Sequence, residues 1–469
     1  MRTAGRDRRG VASVLTTDDL HCFLALLPLL DPDVDDAERV EQIGLLESIK
    51  AAAAGAQARA TVAFAASQRE TQAVAGVPRG ERGRGIAAQV ALARRDSPAR
   101  GSRHLGLAEA LVRELPHTME HLAAGSVSEW RATIVCRETA CLSPEDRGAV
   151  DEALATELPG LGDRQVEARA RALASQLDAA AMAQRARRAH SERRVSLRPA
   201  PDTMTHLTAL LPVAQGVAVL AALETAAASA RAGGDDRGRS QLMADTLVER
   251  VTGQATAEAV PIEVQLVLPA AGGDEPARLG DQVLPAQTTL DLLASARQAG
   301  ARATLREVIA TTDGVDLAHV SARRRALPEQ PNQPARTRGS GEPAPADGAP
   351  GRLFTGAARR FILLRDQRCR TPWCDAPIRH LDHVIATRAG GSTTTANGQG
   401  LCEACNYAKE APGWRARTVR AGPAHTVRTT TPTGHSYDST APPVLPARVR
   451  ARAATSPLER LFEALLLSA

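Results

Sequence analysis

The sequence predicts a mainly α-helical N-terminal region with a few strands, followed by a small, basic, cysteine-stapled domain. Three observations carry this prediction. Aromatic residues make up only 2% of the 469 positions. Alanine and leucine must therefore fill most of the core, which favours helices over strands. The positive charge is also unevenly spread. Residues 351–469 carry 17 Arg and Lys against 8 Asp and Glu, whereas the rest of the chain has a slight acidic excess. Finally, four of the seven cysteines fall in two close pairs within that basic quarter. A chain of this length can bury two or three cores.

The elements follow in order. Residues 1–18 form a loose basic start. Residues 37–69 run without proline and place Val40, Ile43, Leu45, Leu46 and Ile49 near helical spacing. The glycines and arginines of 77–85 mark a loop. Helices are predicted over 86–95, 105–115, 118–123 and 129–139. Ser143-Pro144 gives a cap and a first-turn proline for the next one. Residues 163–189 read as one long Ala-rich helix. A strand is expected at 194–197, and helices at 212–230 and 240–251. Ile262, Val264, Leu266 and Leu268 alternate as the clearest strand of the first 320 residues.

Residues 19–325 are thus expected to form a mostly helical domain. Residues 326–350, with six prolines and no apolar periodicity, read as a disordered linker. A compact domain is predicted at 351–416 and a basic Pro/Thr/Gly-rich tail at 417–469. The tail ends in an amphipathic helix bearing Leu458, Leu461, Phe462, Leu465 and Leu466. That face suits docking on the protein's own body, with homodimerisation as the alternative.

No run approaches the roughly 18–20 apolar residues of a membrane span. The early apolar stretch 23–30 is short, and no export signal is read there. The expected compartment is the reducing cytoplasm, where paired cysteines point to metal rather than disulfide. Of 58 basic residues only Lys50 and Lys409 are lysines, a bias attributable to genomic base composition.

The chemistry is concentrated between Arg365 and Trp414. Cys369 and Cys374 form one pair, and Cys402 and Cys405 the other. Four thiolates suit a closed, structural zinc site. Such a site would supply much of the folding energy of a domain near 60 residues. Cys22, Cys136 and Cys141 read as ordinary buried thiols. Within the zinc frame lie Asp382-His383, the Gly390-Gly391 turn, Asn397, and Asn406 directly after the second pair. Lys409 follows one helical turn later.

This constellation resembles the HNH endonuclease domain, a ββα-metal fold, in a variant with Asn at the third motif position. The resemblance implies hydrolysis of DNA phosphodiester bonds, with double-stranded DNA as partner. His383 would act as general base, and Asn397 would orient the loop that aims it. Asp382 and Asn406 would hold one catalytic Mg²⁺ or Mn²⁺. Arg365, Arg368, Arg370 and Lys409 are the candidate nucleic-acid contacts. His380, three residues before His383, reads as an ordinary polar strand residue. His425 and His435, in the tail, are assigned no catalytic role. The alternative to a nuclease is a non-cleaving nucleic-acid-binding zinc module attached to a helical interaction domain.

The whole chain is also similar to an actinobacterial family that joins a helical domain of unknown function to a C-terminal HNH domain. Leu111 to Pro116, Trp130-Arg131-Ala132, and Asp235-Asp236-Arg237 with Gln241 and Asp245 carry that likeness. The last group reads as a turn with surface salt bridges rather than a polar site. The resemblance implies no activity for the helical part.

Overall fold

The computed structural model describes residues 15–202, 204–259, 352–422 and 424–444, and within 260–351 the elements named below. The expected linker, from residue 327 on, and the expected C-terminal amphipathic helix lie outside the described residues.

The helical region begins with α1 (Thr17–Leu26) and the 39-residue α2 (Asp36–Val74), followed by α3 (Ile86–Ala93) and α4 (Pro98–Glu114). Next come α5 (Pro116–Ala123), α6 (Glu129–Glu138), α7 (Pro144–Leu154), α8 (Asp163–Leu177) and α9 (Ala179–Ala189). Side chains cap several of them, at Ser143 as the sequence suggests and also at Ser128. Ser143 accepts from Asp146 N, and Ser128 from Arg131 N. The run 163–189 is not one helix. It breaks at Asp178, whose carboxylate accepts from Ala181 N and starts a new helix.

Leu111, Leu115, Leu122, Val135, Leu154 and Val166 form the centre of this region, with Ala51, Ala54 and Ala58 of α2 against them. The small alanine faces let long helices approach closely enough to exclude water. Leu115 offers no side-chain cap to α5. Asp151 of α7 replaces it, accepting from His117 N at 2.7 Å and Thr118 N at 3.0 Å while 1% exposed. Cys136 and Cys141 lie half-buried beside this core, but Cys22 is exposed, contrary to expectation.

A hairpin follows, β1 (Arg194–Pro199) with β2 (Thr205–Leu210), then the pair α10 (Val213–Ala232) and α11 (Arg239–Thr252). Arg237 pairs with Asp235 and Asp245, both at 2.7 Å, as the expected surface salt bridges. Helix α10 corrects one expectation. At 20 residues and a mean hydropathy of 1.4 it is long and apolar enough to cross a membrane, and it is almost wholly exposed. Nine of its residues are alanines, which add hydropathy without the aliphatic run that marks a span.

A mixed sheet comes next. β3 (Ile262–Pro269), β4 (Ala277–Leu279) and β5 (Gln282–Leu284) precede α12 (Ala286–Gln298). β6 (Ala303–Ala310), β7 (Leu317–Val320) and β8 (Arg325–Ala326) follow it. The strand order is β5-β4-β3-β6-β7, with β8 also on β6. β3 and β6 are parallel, so α12 is their crossover.

The C-terminal unit opens with α13 (Gly356–Asp366). β9 (His380–His383) pairs antiparallel with β10 (Gly398–Leu401), and α14 (Glu403–Lys409) completes a ββα unit. The chain does not then become a tail. β11 (Arg415–Arg420), β12 (Thr426–Thr430) and β13 (Ser436–Thr440) form an antiparallel sheet. Its Thr418 and His425 both bond the carbonyl of Ala396, at 3.1 and 2.9 Å.

Asp366 is the hub of this unit and is 1% exposed. It accepts from Arg365 Nε at 2.7 Å, Arg370 Nη1 at 2.9 Å and Gly400 N at 2.7 Å. Arg365 continues to the carbonyls of Thr395 and Gly398, both at 2.7 Å. Arg370 continues to the carbonyls of His425, at 2.9 Å, and Ser439. These two arginines therefore face inward rather than toward a polyanion, contrary to expectation. Every polar atom in a buried cluster needs a partner, and here each guanidinium fork finds backbone oxygens.

The helical region packs on the back of this unit. Trp414 sits against Gly85, where an added Cβ would lie 2.5 Å from Trp414 Nε1. Thr433 donates to Gln89 Oε1 at 3.2 Å. A cavity of about 390 Å³ remains between α2, α3 and the β12–β13 hairpin.

Asp366→Ala should destabilise the C-terminal unit by about 3–5 kcal/mol, because it strands two buried guanidinium groups. Denaturant titration followed by Trp373 and Trp414 fluorescence checks this, and Asp366→Asn should cost less.

Candidate active site and metal centre

The four cysteines meet. Their Sγ atoms all lie within 4.8 Å of one another, and all four residues are buried. Cys374 Sγ is 3.7 Å from Cys402 Sγ. A tetrahedron with Zn–S bonds of about 2.3 Å has edges of roughly 3.8 Å, so the spacing suits one zinc ion. Cys402 also caps α14, its sulfur accepting from Cys405 N at 3.5 Å. The thiols polarise one another. Their contacts draw Cys369 and Cys402 toward thiolate and push Cys374 and Cys405 toward thiol. A central cation would relieve that conflict by taking all four as thiolates.

β9 presents His380 and Asp382 on one side and His383 on the other, as strand alternation requires. His383 is 8% exposed. Its ring lies 4.6 Å from that of Phe354, and its Nε2 is 3.0 Å from Thr393 Oγ1. Burial pushes its pKa below the ordinary 6.5. Lys409 and Arg352 act in the same direction, and Asp382 opposes them. The imidazole is therefore neutral at pH 7.

Asn397 closes the loop after His383. Its Oδ1 accepts from Ile385 N at 2.9 Å, and its Nδ2 donates to the carbonyls of Ile385 at 3.0 Å and Ser392 at 2.8 Å. Gly390 turns at φ +84°, and a Cβ on Gly391 would collide with the Ile385 carbonyl. Both glycines of the turn are thus needed for the loop to fold back onto Asn397.

Asn406 donates from Nδ2 to His380 Nδ1 at 3.2 Å, which leaves its buried Oδ1 without a hydrogen-bond partner among the described residues. His380 is therefore more than a polar strand residue, since it fixes which end of the amide is free. Lys409 Nζ lies 2.8 Å from Asp382 Oδ2, an ion pair out of hydrogen-bond alignment. Lys409 also donates to His383 O at 2.8 Å and pairs with Glu410 at 3.2 Å. Only 10% of its side chain is exposed, so it serves the site from inside rather than reaching for a phosphate. Asp382 and the orphaned Asn406 oxygen are hard oxygen donors on adjoining elements, of the kind a divalent cation takes.

Of the expected nucleic-acid contacts, Arg365 and Arg370 are structural, and Lys409 is engaged by Asp382. Arg368 lies at the surface, where it donates to Asp375 O at 2.9 Å. Sequence reasoning missed Thr393, which sits in a Ser-Thr-Thr-Thr run with nothing to single it out. It also missed His425, 1% exposed and bonded to Ala396 O. Burial pushes the His425 pKa down to about 4.

A family model described as a domain of unknown function, DUF222, matches residues 45–333, more than half of the chain. The chain belongs to the DUF222 family. An HNH endonuclease model matches residues 367–411, which hold all four cysteines together with Asp382, His383, Asn397 and Asn406. No curated protein and no solved structure matches the chain. The architecture of this DUF222 protein is therefore the helical family domain followed by an HNH domain. The HNH match supports a function of the nuclease class, with nucleic acid as partner.

Purified protein should contain one equivalent of zinc, and Cys402→Ser should lose most of it, as read by elemental analysis. In NMR titrations the His425 ring should stay neutral from pH 7.5 to 5, its shifts moving only as pH nears 4.

Proposed function

We propose that this DUF222 protein is a metal-dependent endonuclease that hydrolyses DNA phosphodiester bonds. The observation that carries the reading is the buried His383 next to Asp382 in β9, together with the unpartnered Asn406 oxygen of α14, which lies on the His380–Asp382 side of that strand. Phosphodiester hydrolysis needs a base for water and a counter-charge for the phosphate. With Nε2–H donated to Thr393 Oγ1, Nδ1 would be the nitrogen left to take a proton from water. Phe354 and the Asn397 clasp hold the ring in place. Asp382 and Asn406 would hold Mg²⁺ or Mn²⁺. When bound there, the ion would supply Lewis-acid stabilisation of the charge that develops on the phosphate. Lys409 fixes Asp382 through Oδ2. Zinc at the four cysteines is structural in this reading, because a closed thiolate set leaves no position for substrate.

The test is cleavage of supercoiled plasmid by the full chain, with and without added Mg²⁺ or Mn²⁺. Nicking or linearisation should require the added ion and should fall about 10²–10⁴-fold in His383→Ala. Equal cleavage by mutant and wild type, or none by either, overturns the reading. In the active protein the rate should decline as pH falls, because protonation removes the base. The midpoint of that acid limb should lie below 6.5, as read from the pH profile of single-turnover cleavage.

A further inference from the structure

We infer that the outward face of the C-terminal sheet, led by Arg415, Arg417 and Arg420 of β11, binds the phosphate backbone of duplex DNA and delivers it to the site around His383. This rests on the nuclease reading above and assigns its substrate surface.

Strand register builds the face. Three rows run across the sheet: Arg415–Thr430–Ser436, Arg417–Arg428–Asp438 and Arg420–Thr426–Thr440. Simple alternation would put Arg420 on the opposite side from Arg415 and Arg417. An irregularity at Val419 shifts the register and returns Arg420 to their side. Four arginines thus share one face with a single carboxylate, Asp438, which pairs with Arg428 at 2.6 Å. Arg417 stands directly opposite Arg428; Asp438 offsets that like-charge pairing through its two bonds to Arg428, which leaves Arg417, among the described residues, as the arginine of this row with an unbonded charge for a phosphate to meet. Thr426 with Thr440 and Thr430 with Ser436 form cross-strand hydroxyl pairs at 3.0 and 2.9 Å on the same face, which keep it polar beside the arginines.

The face is continuous with the site. A groove of about 580 Å³ is lined by Val384, the residue after His383, by Lys409 and the Arg388–Glu410 ion pair, and by Arg415, Arg417 and Arg428, so its free positive charge lies at the sheet end. Arg415 and Arg417 are two strand positions apart, roughly 6.7 Å, or about two base-pair rises of 3.4 Å. Charge on an edge strand also discourages strand pairing. That role requires neither a register shift that gathers the arginines on one face nor a groove leading to the site.

The experiment compares duplex-DNA binding by the full chain and by Arg415→Gln/Arg417→Gln/Arg420→Gln. Fluorescence anisotropy is read over a salt series without added Mg²⁺, so that cleavage does not intervene. The control, Arg59→Gln/Arg103→Gln/Arg198→Gln, removes the same charge from exposed positions of the helical region and β1. The sheet variant should bind at least 10-fold more weakly at about 0.1 M salt, with a log–log salt slope shallower by about 2.7. The control should stay close to wild type, and all three proteins should unfold alike. Equal losses in both variants, no loss in the sheet variant, or no binding by wild type overturns the inference. If wild type cleaves and the sheet variant binds normally, the surface assignment fails while the nuclease reading stands. If binding falls as expected but nothing cleaves, the nuclease reading fails and the surface assignment stands.

Discussion

The C-terminal unit depends on one buried carboxylate. Asp366 pairs with Arg365 and Arg370 at once, and each arginine also donates to backbone carbonyls of a different segment. The domain has few apolar side chains, and aromatic residues are scarce throughout the chain. Directional bonds to backbone therefore set the positions of α13, β10 and the C-terminal sheet relative to one another. The cost of burying three charges is met only because every donor has a partner. Such a cluster specifies one arrangement, and with it the loop that holds Asn397.

The zinc-type cysteine frame and the polar site share α14. Cys402 and Cys405 lie at its start, Asn406 follows in its first turns, and Lys409 ends it. Any shift of the helix relative to β9 would move the Asn406 oxygen and the Lys409 ammonium together. The helical DUF222 region supports the same helix from behind, since Leu92 and Pro98 line a crevice with Cys405 and Lys409. Among the described residues, the family domain thus supports α14 and supplies no group to the site.

Much of this was legible in local spacing. The cysteine pairs, Asp382-His383, the Gly-Gly turn and Asn397 carry their meaning within a few residues of one another, and the long helices announce themselves by period and caps. What was misread depends on partners far along the chain. Arg365 and Arg370 resemble a phosphate-binding run until Asp366, Gly398 and His425 are seen around them. Residues 415–440 lack apolar alternation because one face of their sheet is arginine and threonine, so they read as tail. His425 looked idle because its partner, the Ala396 carbonyl, is backbone and leaves no mark in sequence. The break at Asp178 was hidden because an aspartate inside an alanine-rich run serves equally as a surface residue or a cap.

The bonds from Thr418 and His425 to the Ala396 carbonyl have a consequence for biosynthesis. Ala396 adjoins the asparagine that clasps the loop, yet both of its supports are translated after that loop, and Ser439, which completes the hold on Arg370, later still. A ribosome working from the N-terminus therefore releases the helical region, the cysteine frame and the histidine before it releases the residues that brace them. The nascent chain cannot assemble its finished site until nearly the whole of the C-terminal sheet has emerged, so a prematurely terminated product lacks the brace.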